Sequence, residues 1–243
     1  MRQLVRALAL LLVAGLSLQV FFVARIALMR WVDPQSTTFQ RTEWWRLQRE
    51  RGPRFSWSQQ WVDTDRIAEP LKRAVIASED AGFVEHSGVE WASIERAWER
   101  NQRALDSNAR RAAAGGRQRP LKLIGGSTIT QQLAKNLFLS GERTLARKAQ
   151  EFMLTWTLEA LLDKRRILEI YLNSVEWGEG VFGAQAAARH YHRVDASRLT
   201  PAAAAHLAVL LPAPKRFERN PGSAYVIGRA AVIEARMGDV ELP

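Results

Sequence analysis

The feature that most limits how this chain can fold is an almost unbroken apolar run near its amino terminus. The run ALALLLVAGLSLQVFFVA occupies residues 7–24, and Gln19 is its only strongly polar side chain. At about 1.5 Å per residue in a helix, the run and its flanks can cross a hydrocarbon layer about 30 Å thick. We therefore expect residues 1–33 to form a cytoplasmic tail and a transmembrane anchor, and residues 34–243 to form one domain on the other side of the membrane.

A cleaved signal peptide is the competing interpretation, because Arg2 and Arg6 precede the apolar run. No convincing small-x-small cleavage site follows it, and apolar residues resume at 26–32. A retained anchor is therefore favoured. Arg2, Arg6 and the terminal amine favour a cytoplasmic N-terminus, while Arg25 and Arg30 on the other flank oppose it.

The net charge indicates the class of partner, and the cysteine content excludes two kinds of site. The formal net charge is +10 over 243 residues, which predicts an anionic partner such as nucleic acid, lipid headgroups or a phosphorylated substrate. The chain contains no cysteine. Disulfide frameworks and thiolate metal sites are therefore excluded.

Beyond the anchor, the hydrophobic pattern predicts a mainly α-helical domain. Helices are expected over residues 70–80, 143–163, 164–177 and 200–212, the last with Thr200 as N-cap and Pro201 at the first helical position. The helix over 143–163 carries an apolar stripe that predicts its packing face, comprising Leu145, Ala149, Phe152, Met153, Trp156 and Ala160. Arg147 and Glu151 then point away from that face.

Residues 100–122 depart from this pattern, being rich in arginine and alanine with a Gly pair and a proline. This composition predicts a mobile basic segment that connects two helical regions. Such a segment could be a solvated linker or an electrostatic contact to anionic lipid or substrate.

The stretch GGSTITQQLAKN, residues 125–136, predicts a loop that runs into a helix. Gly125 and Gly126 permit a close backbone approach, and Ser127 or Thr128 can cap the helix. Free backbone N–H groups at such a start favour an anion, and amide and ammonium side chains share the faces above it. The mixture suits a phosphate or diphosphate, although an ordinary capped surface helix would have the same composition.

Two carboxylates could carry acid–base chemistry. Glu79 and Asp80 end a predicted helix beside the apolar Phe83, and shielding there would raise a carboxyl pKa towards neutrality. Glu151 follows Arg147 by four residues in RKAQE. The alternative for each is a solvated helix end or an exposed ion pair worth a few tenths of a kcal/mol.

Three other motifs point to no active site. GEGVFG, residues 178–183, matches a dinucleotide fingerprint but has no βαβ pattern around it. His190 and His192 lack metal-ligand spacing. No Ser-x-x-Lys occurs in the chain, which argues against a penicillin-binding acyl-transfer site.

Taken in order, five motifs resemble those of the glycosyltransferase family of bacterial peptidoglycan polymerases, in its short, anchored, monofunctional form. They occupy residues 79–88, 125–136, 147–151, 164–173 and 206–221. The resemblance covers most of the chain beyond the anchor. One departure is Gly82, where the family often has a basic residue, and it puts one cationic contact to substrate in doubt.

This resemblance implies a two-lobed, mainly α, lysozyme-like fold. The implied activity is polymerisation of lipid II by β-1,4 linkage with inversion, which releases undecaprenyl diphosphate. Glu79 would be the general base and Glu151 the second essential carboxylate. The implied substrate-binding residues, some as contacts to diphosphate and some as neighbours that shape the site, are Ser127, Thr128, Gln132, Lys135, Asn136, Arg143, Arg147 and Lys148.

The resemblance also implies partners and a location. Lipid II, the growing lipid-linked strand and the membrane are expected, other cell-wall synthesis or division proteins are candidates, and nucleic acid is not expected. The catalytic domain would lie on the periplasmic side of the bacterial cytoplasmic membrane. No cofactor is required by the sequence, although a divalent cation, Mg or Mn, could assist the diphosphate. The alternative activities are a membrane-anchored lysozyme-like glycan hydrolase and, from the charge alone, a tethered nucleic-acid binder.

Overall fold

The chain is mainly α-helical in a computed structural model, which describes residues 1–117, 125–142 and 144–243. Within these residues the helices are α1 (Arg2–Leu28), α2 (Thr38–Arg51), α3 (Glu69–Glu79), α4 (Trp91–Ala113), α5 (Ile129–Phe138), α6 (Leu145–Leu161), α7 (Lys164–Ser174), α8 (Ala184–His192), α9 (Pro201–Leu210), α10 (Pro214–Phe217) and α11 (Ala224–Arg236). The mainly α prediction is confirmed. The predicted cap of α9 is also present, since the Thr200 side chain accepts a hydrogen bond from the Ala203 N–H.

A small sheet accompanies the helices. Its strands are β1 (Ser58–Gln59), β2 (Glu176–Gly178) and β3 (Val181–Phe182), in the order β1-β3-β2. Strand β3 is parallel to β1 and antiparallel to β2. The GEGVFG motif therefore forms the β2–β3 hairpin, which agrees with the exclusion of a dinucleotide site.

Helix α5 lies at the centre of the domain and fixes the position of its neighbours. Eight of its ten residues are buried, and it packs against α2, α6 and α7. Helix α3 packs against α9 and α11 on one side and carries its C-terminal end to the start of α5. The C-terminal end of α3 therefore meets the N-terminal end of α5.

Helix α1 is long and apolar enough to cross a membrane. Its C-terminal half contacts the domain. Gln19 and Gln150 exchange two side-chain hydrogen bonds of 2.9 and 3.2 Å, and the rings of Phe22 and Phe138 meet edge to face at 5.4 Å. Beyond the helix, Arg166 donates to the Met29 carbonyl at 2.8 Å. Helix α1 and the residues just after it are thus attached to α5, α6 and α7.

The predicted packing face of α6 is wrong. The stripe that was expected to pack is open, with Leu145 91% and Trp156 50% exposed. The opposite face, which carries Glu151, Leu154, Thr155 and Leu158, is buried against the domain. Periodicity located both faces of this helix but not which one the protein covers.

The predicted mobile connection over residues 100–122 is also wrong in its first part. Residues up to Ala113 continue helix α4, in which only Ala97 is buried. Alanine, arginine, glutamine and leucine all favour helix, so a long exposed helix needs no large apolar face to be locally consistent. Residues 118–124 lie outside the described residues.

Candidate active site

Asp80 joins the end of α3 to the start of α5. Its buried carboxylate accepts a hydrogen bond from the Ile129 N–H at 3.0 Å and lies 2.8 Å from Nε2 of His86. Since His86 Nδ1 accepts from the Gly88 N–H, the ring proton lies on Nε2 and points at Asp80. A negative side chain at the first turn of α5 also suits the helix dipole. This arrangement directs the neighbouring Glu79 towards α5.

Glu79 meets Gln132 at the edge of a cleft. The Gln132 amide donates to the Glu79 carboxylate at 3.0 Å, and the buried Tyr171 hydroxyl donates to the Gln132 carbonyl at 2.9 Å. Burial raises the pKa of Glu79, while the hydrogen bonds from Gln132 and Ser78 act in the opposite direction. A partly shielded carboxylate of this kind can accept a proton near neutral pH.

The N-terminus of α5 does not offer the anion site that the sequence suggested. Thr128 and Gln131 form a reciprocal capping box, and the Ile129 N–H is bound to Asp80. The Thr128 hydroxyl also donates to the Gly88 carbonyl at 2.6 Å. Thr128 is therefore buried in structural contacts and does not line the cleft, whereas the exposed Ser127 does.

Two basic residues of α6 hold Glu151 between them. Arg147 donates to one Glu151 oxygen at 2.7 Å, and the Lys148 ammonium contacts the other. Glu151 is 3% exposed, so the pair is a buried ion cluster and not the exposed i, i+4 pair considered from sequence. Nε of Arg147 has no hydrogen-bond partner among the described residues.

Lys135 lies between the two carboxylates. Its pKa is lowered by desolvation against the cleft walls and by Arg147 and Lys148, while Glu151 and Glu79 act in the opposite direction. An anion beside Lys135 would therefore stabilise its charged form. We refer to Lys135, Arg147 and Lys148 as the cationic cluster.

Six of the eight predicted substrate-binding residues line one cavity of about 650 Å³. Those that line it, together with Glu151, are Ser127, Gln132, Lys135, Asn136, Arg147 and Lys148. Glu79 reaches its edge through Gln132. Arg143 lies outside the described residues. Three of the cavity's residues, Gln131, Arg147 and Glu176, have a buried polar atom without a partner in the described part of the chain. Such atoms favour a polar ligand.

Sequence reasoning missed the roles of four residues that organise this site: Asp80, His86, Tyr171 and Glu176. The first three belong to motifs that were quoted, but the partners that decide the roles of Asp80 and Tyr171 lie far along the chain. Asp80 accepts a hydrogen bond from the Ile129 N–H, and the Tyr171 hydroxyl donates to the Gln132 side chain. Glu176 stood in no motif.

The family model described as transglycosylase matches residues 49–238. The chain belongs to the transglycosylase family. The fold of this family is lysozyme-like. The matched region contains α3 to α11 and every described residue of the cleft except Phe39.

Similar proteins carry the name biosynthetic peptidoglycan transglycosylase. One from Paraburkholderia phytofirmans is 51% identical over 236 residues, covering 97% of this chain and 91% of its own length. One from Burkholderia multivorans is 50% identical over 242 residues, covering 100% and 92%. A third, from Burkholderia pseudomallei, is 51% identical over 230 residues, covering 95% and 84%.

The residues of the cleft do not fit a resident metal ion. No three His, Asp or Glu side chains converge to hold one within the described ranges. The carboxylate deepest in the cationic cluster, Glu151, is already held by Arg147 and Lys148. A divalent cation would have to enter with the diphosphate, and its assistance to the reaction stays a prediction.

Proposed function

We propose that this transglycosylase polymerises peptidoglycan glycan strands from lipid II, with Glu79 as general base and the cationic cluster as the diphosphate site. The observation that carries the proposal is that the shielded Glu79 carboxylate is hydrogen-bonded to Gln132, which lines the same cleft as three basic side chains. Relatives about half identical over nearly the whole chain are named for this activity.

The reaction joins an acceptor hydroxyl to an anomeric carbon. Glu79 takes the proton from the 4-hydroxyl of the acceptor sugar as that oxygen attacks C1 of the growing strand. The bond between C1 and the diphosphate oxygen breaks, and undecaprenyl diphosphate leaves with its electron pair. Attack from the face opposite the α-linked leaving group gives the β-1,4 linkage with inversion.

The cationic cluster acts where negative charge grows, on the departing diphosphate. Glu151 holds Arg147 and Lys148 in place, so their donors are oriented before substrate arrives. Nε of Arg147 has no hydrogen-bond partner among the described residues. Removing one such preorganised donor commonly costs about 100- to 1,000-fold in turnover.

A glycan hydrolase of lysozyme type is the second candidate. In that reaction Glu79 would donate its proton to a glycosidic oxygen, and a second carboxylate would act across the bond. Glu151 is unsuited to that part because both its oxygens are held by cations. Hydrolysis also has no use for the cationic cluster, so polymerisation is favoured.

The proposed location is the cytoplasmic membrane, with the catalytic domain on the periplasmic side. Besides α1, an aromatic surface on α4 and α6 supports this. Trp91 stacks on Phe152 with ring centroids 6.1 Å apart, and Phe152 contacts Trp156. Trp91 is 64% exposed and Trp156 is 50% exposed. We refer to Trp91, Phe152 and Trp156 as the aromatic surface. Tryptophan is favoured at membrane interfaces, where a lipid-linked substrate would reach the cleft.

Lipid II and the growing strand are the substrates of this proposal. Contacts with other cell-wall synthesis or division proteins, and the absence of nucleic acid among the partners, stay predictions.

Product sizing on lipid II tests the proposal. Purified full-length protein in detergent should convert lipid II alone into long glycan, and Glu79→Gln should lower the rate about 100- to 10,000-fold. Glu85→Gln is the matched control, since Glu85 is an exposed carboxylate on the same loop. Cleavage of preformed glycan without polymer from lipid II would favour the hydrolase instead.

A further inference from the structure

A second carboxylate lies in the wall of the cleft away from Glu79. Glu176 begins β2 and is 5% exposed. It lines the 650 Å³ cavity beside the apolar side chains of Phe39, Val175, Leu211 and Pro214. Its Oε1 atom has no hydrogen-bond partner within the described part of the chain. A buried carboxyl oxygen without a hydrogen-bond partner, in a residue that lines a cavity, requires an explanation.

The charged neighbours of Glu176 do not satisfy it. Lys215 of α10 is nearest, but its ammonium is 3.6 Å from Oε1 and makes its short contact with Glu43 of α2. Arg46 is likewise bound to Glu43, and Tyr191 of α8 donates to the Trp177 carbonyl. Lys215 therefore lies closer to Glu43 than to Glu176, and Oε1 of Glu176 has a distant ion-pair neighbour but no hydrogen-bond donor among the described residues.

We propose that Glu176 is a substrate-binding residue, whose carboxyl group holds the acetamido group of an N-acetylated sugar of the glycan. This inference rests on the proposed function and assigns one subsite within it. The surrounding walls are apolar and suit the acetamido methyl, while the free carboxyl oxygen suits its polar end.

The protonation of Glu176 sets how well it can do so. Burial raises its pKa to about 7, Lys215 opposes the shift and Glu43 adds to it. Below that pH the carboxyl is neutral and can donate to the acetamido carbonyl. Above it the carboxylate cannot donate, and it adds negative charge to a cleft that must accept a diphosphate. Binding should therefore weaken as pH rises through neutrality.

The test is the KM for lipid II of the full-length enzyme at about pH 6 and about pH 8.5, on either side of this titration. The wild-type KM should rise about three- to tenfold, the usual effect of one hydrogen bond. Glu176→Gln, which can donate at both pH values, should keep a low KM at both. Glu176→Met, which cannot donate, should have the raised KM at both.

Glu179→Gln is the matched control. Glu179 lies on the same hairpin and pairs with Arg46 and Arg51, but it does not line the cavity. Its KM should show the same pH dependence as that of the wild type.

An equal pH dependence in Glu176→Gln and wild type, or a wild-type KM in Glu176→Met, would overturn the inference. If Glu176→Met does not fold, as judged by its thermal transition, the comparison of Glu176→Gln with wild type decides alone. Titration of Glu79 acts on turnover in the opposite direction and is separable. Absence of polymer from the wild type would instead refute the proposed function.

Discussion

At the scale of single residues, the account depends on a short chain of hydrogen bonds from Tyr171 through Gln132 to Glu79. The phenol fixes which end of the Gln132 side chain faces Glu79, because it donates to the carbonyl and leaves the amide N–H₂ for the carboxylate. Burial raises the pKa of Tyr171, which keeps it a neutral donor. Tyr171 is therefore a positioning residue for the base.

Replacing Tyr171 by phenylalanine tests this relay. The ring still fills its buried site, but Gln132 loses the bond that orients it. We expect kcat to fall about three- to tenfold, with little change in KM for lipid II, from the loss of about 1 kcal/mol. Tyr225→Phe, at an exposed position, should have no effect. An unchanged kcat in Tyr171→Phe would show that the relay does not matter.

Gly88 is the residue where backbone conformation most restricts the site. Its φ is +85°, and a Cβ there would lie 2.7 Å from Cγ2 of Thr155 and 2.8 Å from Cγ of Glu159. Its carbonyl accepts the Thr128 hydroxyl at 2.6 Å. Only glycine can supply this close approach between the loop after α3 and helix α6.

Gly88→Ala should accordingly destabilise the fold by about 2–4 kcal/mol, from backbone strain and overpacking together. Thermal unfolding in detergent would measure the loss. Gly222→Ala, where the new methyl meets nothing within 4 Å, is the control and should unfold like the wild type. Equal stability of the two variants would contradict the packing described here.

At the scale of elements, the sequence was most informative where local rules act alone. The Thr200 cap and Pro201 start of α9, and the extent of α3, follow from side-chain chemistry within a few residues. The face of α6 could not be predicted in the same way. An apolar stripe on a helix can pack against a protein core or against lipid, and periodicity alone does not show which of the two it contacts.

The attachment of α1 to α6 gives a prediction at this scale. Gln19→Leu leaves the Gln150 amide without its two hydrogen bonds in an apolar contact, and should cost about 1–2 kcal/mol of stability. The double variant Gln19→Leu, Gln150→Leu should recover part of the loss, because neither side chain then needs a partner. Gln3→Leu, near the exposed start of α1, is the control. A Gln19→Leu protein as stable as wild type in detergent unfolding would mean that the anchor is only a tether.

At the scale of the whole molecule, the aromatic surface should meet the bilayer. Quenching of tryptophan fluorescence by brominated lipids in reconstituted vesicles would measure this. We expect the variant with Trp91 and Trp156 replaced by phenylalanine to lose a large part of the quenching, since these side chains are exposed on one side of the domain. Trp57→Phe, which removes a ring stacked on Phe182, should keep it. Equal quenching in both variants would contradict the proposed orientation.

The site itself was only partly predictable at this scale. Motif resemblance named most of the residues that line the cleft, but no periodicity could bring Gln132 to Glu79, since 53 residues separate them. Sequence also misjudged the start of α5, where Asp80 occupies the position expected for a bound anion. Because Asp80 takes this position, we expect the diphosphate to be bound by the side chains of the cationic cluster and not by the backbone of α5.

The central claim is that Glu79 removes the acceptor proton inside this cleft. The most direct test is the pH dependence of kcat for lipid II polymerisation, measured for wild type and Glu79→Gln. A base must be ionised to act, and burial raises the pKa of Glu79 above the ordinary carboxyl range. The wild-type rate should therefore rise with pH, with its midpoint above that range. Glu79→Gln should keep only a small activity that does not change with pH. A Glu79→Gln enzyme that keeps the wild-type rate and the same rising limb would contradict the account.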